Sequence, residues 1–285
     1  MTRRLSRLRA SVLLAGFAAV SCLAAPASAK DWKTVTITLE GAYAPWNMTN
    51  PDGTLGGFEP ELAAYLCEHM KVECKLVASD WDSMITSLNA GKFDVIMDAL
   101  SITEERKQVI DFSIPYAHTH AAFATLADSD LAGVEGTDTV VKMTPDYGGA
   151  DAQIAAMQKA FEGKTIGIQA ATVYAKFIYD KFGDIATVRE YKTGAERDLD
   201  LESGRIDLAF DDAVYLKAAF ETAGAKMAFT GPEIGGTIFG IGEGLGLRKE
   251  DTDLKALFDK AIEAALADGT VSTLSQKWFK TDVTP

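Results

Sequence analysis

The sequence is poor in cysteine, histidine and positive charge. Its 285 residues include three cysteines and three histidines, and its 28 lysines and arginines stand against 41 aspartates and glutamates, a net charge of −13 at pH 7. His69, His118 and His120 are not spaced to complete a metal site with so few thiols, so no metal is expected. The acidic balance argues against nucleic acid and anionic membrane as partners, because both attract basic surfaces. It favours a cationic ligand, although an acidic surface also serves solubility alone. No Gly-x-Ser-x-Gly elbow, phosphate loop or zinc signature occurs, so no catalytic residue is assigned and no cofactor is expected.

Long apolar runs are missing too, except at the N-terminus. There Arg3, Arg4, Arg7 and Arg9 precede the apolar run Ala10 to Ala25, and Ala27-Ser28-Ala29 is a small-x-small cleavage site. The run falls short of the roughly 20 residues needed to span a bilayer, so residues 1–29 read as a secretory signal cleaved after Ala29. Val20-Ser21 makes a poor approach to Cys22 as a lipid-attachment site. Cleavage leaves roughly 256 residues, enough for one large domain or two lobes. It removes four arginines and no acid, so the mature chain is more acidic still.

Without Cys22, Cys67 and Cys74 form an even pair in an oxidising compartment. Cys67 closes a helical pattern and Cys74 lies in an alternating run. A disulfide there would join helix end to strand, contributing roughly 2.5 kcal/mol at most for so short a loop. Two free buried thiols are the alternative.

What the chain has in abundance is alternation of β-rich runs with amphipathic stretches, the pattern of an α/β protein with mainly parallel sheets. Strands are expected at 34–39, 73–78 and 93–97, with helices at 59–70, 82–90 and from Thr103. A second set follows: strands at 164–168, 186–191 and 206–210, helices at 172–182 and 194–203. The unit Gly91-Lys92-Phe93-Asp94 recurs as Gly204-Arg205-Ile206-Asp207, as in two similarly built lobes. Between them lies the polar excursion Asp128 to Gly149 and a helix at 151–161. A glycine-rich extended run follows Phe229, then helices at 251–268 and 271–279 that pack back on the first lobe.

Open α/β sheets bind ligands beyond the C-terminal ends of their strands. The groups expected there are Glu40, Tyr43 and Trp46, then Asp80 and Trp81, Asp98 and Ser101, Gln169 and Thr172, and Asp211 and Asp212. Arg106 follows Ser101-Ile102-Thr103-Glu104-Glu105, with Ser101 and Glu104 spaced as a helix start. A helix N-terminus beside a guanidinium suits a carboxylate. Taken alone, an arginine after two glutamates is more often a solvated surface ion pair.

These motifs together resemble the polar amino-acid binding proteins of ABC importers: Gly41-Ala42-Tyr43-Ala44-Pro45-Trp46, Gly57-Phe58-Glu59, Ser101 to Arg106 and Gly204 to Asp207. Gly246 to Asp251 and Ala267-Asp268-Gly269-Thr270 resemble them as well. The excursion after Leu126 and Lys255 to Ala261 resemble the opine branch, beside the lysine/arginine/ornithine and histidine binders. The resemblance implies a two-lobed type II periplasmic binding protein, with lobe 1 at 30–118 and 239–285 and lobe 2 at 119–238. It implies a monomer that captures a cationic amino acid or an opine and delivers it to a membrane permease. Arg106, with Ser101 and Thr172, would take the ligand carboxylate, and Asp212 the α-ammonium. Trp81 and Tyr43 would sandwich the side chain and Glu40 would meet its cationic end, with Gln169 also in the site. Cys67 and Cys74 match a family disulfide. Asp98 and Ala99 stand where the basic amino-acid binders often carry serines, and Val173-Tyr174 where they often carry polar residues. The rival reading is a dehydratase of the same fold acting on a prephenate-like acid.

Overall fold

Strand formation begins where β-branched residues crowd together. Thr34–Leu39 (β1) reads TVTITL, a composition that favours a pleated, buried strand over a helix. The computed structural model describes residues 30–224 and 226–285, so the signal segment and Cys22 lie outside the described residues. After β1 comes a small antiparallel ribbon, β2 (Ala42–Tyr43), β3 (Asn47–Thr49) and β4 (Leu55–Gly56). Then follow α1 (Phe58–Met70), β5 (Glu73–Ala78), a 3-10 turn at Trp81–Ser83, α2 (Met84–Asn89), β6 (Val95–Ile96), α3 (Glu104–Lys107) and β7 (Asp111–Phe112). The first sheet has the order β5-β1-β6-β14-β7, where β14 is Gly246–Leu247. Its β5, β1 and β6 run parallel, and β14 pairs antiparallel with β6 and β7.

The second sheet has the order β11-β10-β12-β8-β13-β9. In chain order these are β8 (Ala121–Leu126), β9 (Val140–Met143), β10 (Thr165–Gln169), β11 (Thr187–Tyr191), β12 (Leu208–Asp212) and β13 (Met227–Gly236). Around it lie α4 (Asp151–Phe161), α5 (Val173–Phe182), α6 (Gly194–Glu202) and α7 (Ala213–Thr222). Phe123, Phe161, Phe177, Phe182 and Phe210 interlock there, with Phe123 and Phe210 centroids 4.5 Å apart. Each fully buried ring of this kind stabilises the fold by about 1.5–3 kcal/mol. The chain ends in α8 (Thr252–Ala267) and α9 (Thr270–Trp278). Leu254, Phe258 and Ile262 of α8 share a core with Phe58, Leu62 and Leu66 of α1.

Four expectations need adjustment. β6 is shorter than 93–97, because the Asp94 carboxylate turns to the Thr36 N–H at 3.0 Å and to Arg248 at 2.9 Å. β12 starts two residues later and runs on through Asp212. Part of the excursion is a strand, β9, which pairs parallel with β13. Ser101 does not start the following helix: the Thr103 hydroxyl accepts from the Arg106 N–H at 3.2 Å and caps it. The disulfide expectation holds. Cys67 and Cys74 are joined with Cα atoms 6.1 Å apart, tying the end of α1 to β5.

Two segments carry the chain between the sheets, 113–120 outward and 237–245 back. They are bonded to each other, Tyr116 N–H to the Glu243 carbonyl and Glu243 N–H to the Ala117 carbonyl, both at 2.9 Å. Gly242 makes this approach possible. Its φ is +123°, and a Cβ there would lie 2.7 Å from the Ala117 carbonyl oxygen. Gly242→Ala should therefore destabilise the protein by about 2 kcal/mol or more, through backbone strain and loss of that contact. Thermal unfolding checks this, and a melting temperature equal to the parent's would refute it.

Candidate functional site

The parallel strands of both sheets end at one small cavity. Glu40 follows β1, Trp81 follows β5, and Asp98, Ala99 and Ser101 follow β6. Gln169 closes β10, Thr172 and Val173 start α5, and Tyr43 and Arg106 complete the expected set on its wall. Asp212 is the exception. Successive residues of a strand point to opposite sides, and at the end of β12 it is Asp211 that lines the cavity. Asp212 instead caps α7, accepting from the Tyr215 N–H at 2.9 Å and from the Thr119 hydroxyl. Tyr174 lines the cavity as well. Strand alternation is the signal that separates the two aspartates, but it applies only because β12 runs on through Asp212 and not, as expected, to residue 210. Trp46 packs between Phe58 and Phe279 in the core, and Asp80 is an exposed partner of Lys192 at 2.9 Å.

One wall is acidic and held by a buried carboxylate. Glu59, in the first turn of α1, accepts from the Ala99 N–H at 2.7 Å, the Tyr116 hydroxyl at 2.5 Å and the Asn47 amide at 2.7 Å. That amide also donates to Asp98 Oδ1 at 2.6 Å, and Asn47 Oδ1 accepts from the Gly41 N–H at 2.7 Å. Ala99 sits at φ +42°, uncommon for a residue with a Cβ. Asp98 is buried, and among the described residues nothing donates to its Oδ2. Burial, followed by the charges of Glu59 and Glu40, holds its carboxyl well above the usual range. Glu40 accepts from Gln169 Nε2 at 2.9 Å, and burial raises its pKa to about 7 against that bond.

The opposing charge is Arg106. Its Nη1 donates to the Ser101 carbonyl at 3.0 Å, its guanidinium carbon lies 5.3 Å from the Trp81 ring centre, and burial lowers its pKa to about 10. Among the described residues no carboxylate stands within ion-pair distance of it. The Thr172 hydroxyl is occupied, accepting from the Ala175 N–H at 3.0 Å and donating to the Gln169 carbonyl at 2.9 Å. Beside it, the N-terminus of α5 presents main-chain donors to an anion.

A third group of side chains is already neutralised. Arg197, fully buried, pairs with Asp211 and with Asp198 at 2.8 Å. Tyr215 donates to Asp198 at 2.7 Å and stacks on Tyr43 with centroids 4.5 Å apart, while the Tyr43 hydroxyl donates to Asp211 at 2.6 Å. Asp211 is therefore less available to a ligand cation than Glu40 or Asp98. The cavity can take a carboxylate at Arg106, a cation at its acidic wall, and an aliphatic stem against the free faces of Trp81 and Tyr43.

Several known proteins are similar to this chain. The family of bacterial extracellular solute-binding proteins, family 3, matches residues 35–281. The octopine-binding periplasmic protein of Rhizobium meliloti is 43% identical, over 94% of this chain and 97% of its own. The L-arginine-binding protein of Pseudomonas aeruginosa is 34% identical, over 95% and 96%. Among solved structures, a periplasmic His/Glu/Gln/Arg/opine family-binding protein from Silicibacter pomeroyi in complex with lysine superposes with a TM-score of 0.70. It is 32% identical and covers 88% of this chain and 99% of its own.

The pKa of Glu40 makes a signed prediction. It rises from 4.5 to about 7 on folding, so between those values the folded state holds more protons than the unfolded one. Stability from this group is full below about 4.5 and is lost as pH rises towards about 7. Glu40→Gln cannot ionise, so its melting temperature without ligand should gain on the parent's across that window and level off above it. A difference that stays constant with pH would refute the assignment.

Proposed function

The chain belongs to the bacterial extracellular solute-binding proteins, family 3, with the type II periplasmic-binding-protein fold, and from that premise we propose that it captures a cationic amino acid or an opine-type derivative and delivers it to the permease of an ABC importer. It works in the periplasm as a monomer, after removal of residues 1–29. Its relatives are named as binding proteins, so it is a carrier rather than an enzyme, and the dehydratase reading finds no support among them. Two lobes, 30–118 with 239–285 and 119–238, close over the ligand by rotation about the two crossing segments.

The observation that carries this reading is the pairing of unsatisfied charges in one small cavity. Arg106 has no carboxylate partner there, while Glu40 and Asp98 have no cationic one. A zwitterion with a neutral side chain would satisfy Arg106 and place its one ammonium at Asp211, leaving the buried Glu40 and Asp98 carboxyl groups without a cation. Those acids would stay protonated at a cost in desolvation. A second cationic group on the ligand removes most of that cost. In the assigned roles, Arg106 and the α5 N-terminus hold the α-carboxylate, with Ser101 and Thr172 positioning them. Glu40 and Asp98 meet the side-chain cation. The α-ammonium falls to Asp211, the aspartate of β12 at the wall, which it shares with Arg197, while Asp212 supports that strand end by capping α7. Trp81 and Tyr43 flank the stem, and Ala99, Gln169 and Val173 shape the wall.

A thermal-shift screen of amino acids and opines tests the function. A ligand at about 100 times its Kd should add about 2.7 kcal/mol of stability by mass action, and the largest shifts should come from arginine-, lysine- or opine-type compounds. Small-angle scattering with the best of them should report a more compact particle. Tighter binding of glutamine or a branched aliphatic amino acid would overturn the cationic assignment. Arg106→Ala should weaken the best ligand by roughly 2–5 kcal/mol, the usual loss when a buried charge pair loses one member. A loss below about threefold in titration calorimetry would return Arg106 to the status of a structural side chain.

A further inference from the structure

Tyr174, the second residue of α5, lines the same cavity as Arg106 and Asp211. The turn that brings it there is tight. Ala170 follows β10 with its N–H on the Tyr191 carbonyl at 3.0 Å, and Ala171 stands at φ +59°, uncommon for a residue with a Cβ. Behind the cavity the Tyr174 ring is fixed, edge to face, by Phe210 of β12 with centroids 5.8 Å apart and by Phe239 of the return crossing at 5.1 Å.

Those contacts use the ring and leave the hydroxyl. The acids whose charges reach it are Asp212, Asp211 and Glu243, and the one cation is Arg106. Asp211 already accepts from the Tyr43 hydroxyl and from Arg197, and Asp212 from Thr119 and the Tyr215 N–H. Among the described residues the Tyr174 hydroxyl is thus left without a hydrogen-bond partner. Burial, followed by the three acids, holds its pKa well above the ordinary phenol value against the pull of Arg106. It is therefore a neutral donor at neutral pH.

We propose that Tyr174 is a specificity-determining residue whose hydroxyl donates to the ligand's α-carboxylate beside Arg106. The inference rests on the amino-acid reading of the site, not on the charge of the ligand's side chain. A free donor needs an acceptor, and neither an ammonium nor a guanidinium group has one to offer. The carboxylate does, since its two oxygens accept about four bonds and the Arg106 fork uses only part of them. A phenol on a carboxylate is a charge-assisted bond, roughly twice as strong as one between neutral groups. A ligand that has lost its carboxylate would leave both Arg106 and Tyr174 unpaired, so the two together select amino acids over the amines formed from them by decarboxylation.

Tyr174→Phe tests this, because it removes the hydroxyl and keeps the ring. In the empty protein the hydroxyl bonds nothing, so the ligand-free melting temperature should match or exceed the parent's. Calorimetric titration with L-arginine should show binding about tenfold weaker. 5-Guanidinopentanoate, which keeps the carboxylate and lacks the α-amino group, should weaken by the same factor. A loss below about twofold for arginine overturns the inference. So does a loss confined to arginine, which would put the contact at the ammonium, or a loss accompanied by a lower ligand-free melting temperature, which would make the hydroxyl structural. If the parent rejects arginine but takes a neutral amino acid, the cationic-ligand reading alone falls and the same comparison with that amino acid decides the role of Tyr174. If the parent binds no amino acid, the amino-acid reading fails and takes this inference with it.

Discussion

The ligand cavity depends on one buried carboxylate that never touches it. Glu59 has no exposed surface, yet its two oxygens collect donors from three separate loops: Ala99 after β6, Tyr116 in the outward crossing, and Asn47 in the small ribbon. Asn47 passes the constraint on to Asp98 and to the main chain at Gly41. A buried acid with so many donors tolerates its burial, and the loops cannot shift separately without stranding one of them. Ala99 keeps its left-handed backbone, and Asp98 its orientation, because the surroundings leave no alternative.

The division of charge follows from that frame. Asp211 and Asp198 are neutralised by Arg197 within the second sheet's own core, so that network serves architecture. Arg106, Glu40 and Asp98 are left without ionic partners in the cavity. Burying ionisable groups without ionic partners is unfavourable for a fold and useful for a binding site, since a ligand that completes the pairs recovers the cost.

The strand ends were legible because β-branched residues mark β1 and β10 and apolar alternation marks β5, and whatever follows such a run in a parallel sheet faces the crevice. Arg106 was legible by its place after a turn, although its helix is capped by Thr103 and not by Ser101. β8 and α7 were not assigned, since AAFATL and AVYLKAAFET carry much alanine and little period. Their identity comes from tertiary pairing, β8 between β12 and β13, and from the cap that Asp212 supplies to α7. The expected strand stops at Phe210, which puts both aspartates in the following loop, where the alternation that separates them does not apply. The strand in the excursion was hidden because β9 is a short edge that exists only by pairing with β13.

The pair formed by Lys192, after β11, and Asp80, after β5, reaches from the rim of one sheet to the rim of the other, with both side chains more than half exposed. Attraction between exposed charges is weak and is screened within about 8 Å at physiological ionic strength. The rim contact is thus more sensitive to dissolved salt than the buried pairs beneath it, which are shielded. Raising the salt concentration therefore loosens the contact between the two rims while leaving the buried carboxylate frame beneath it in place.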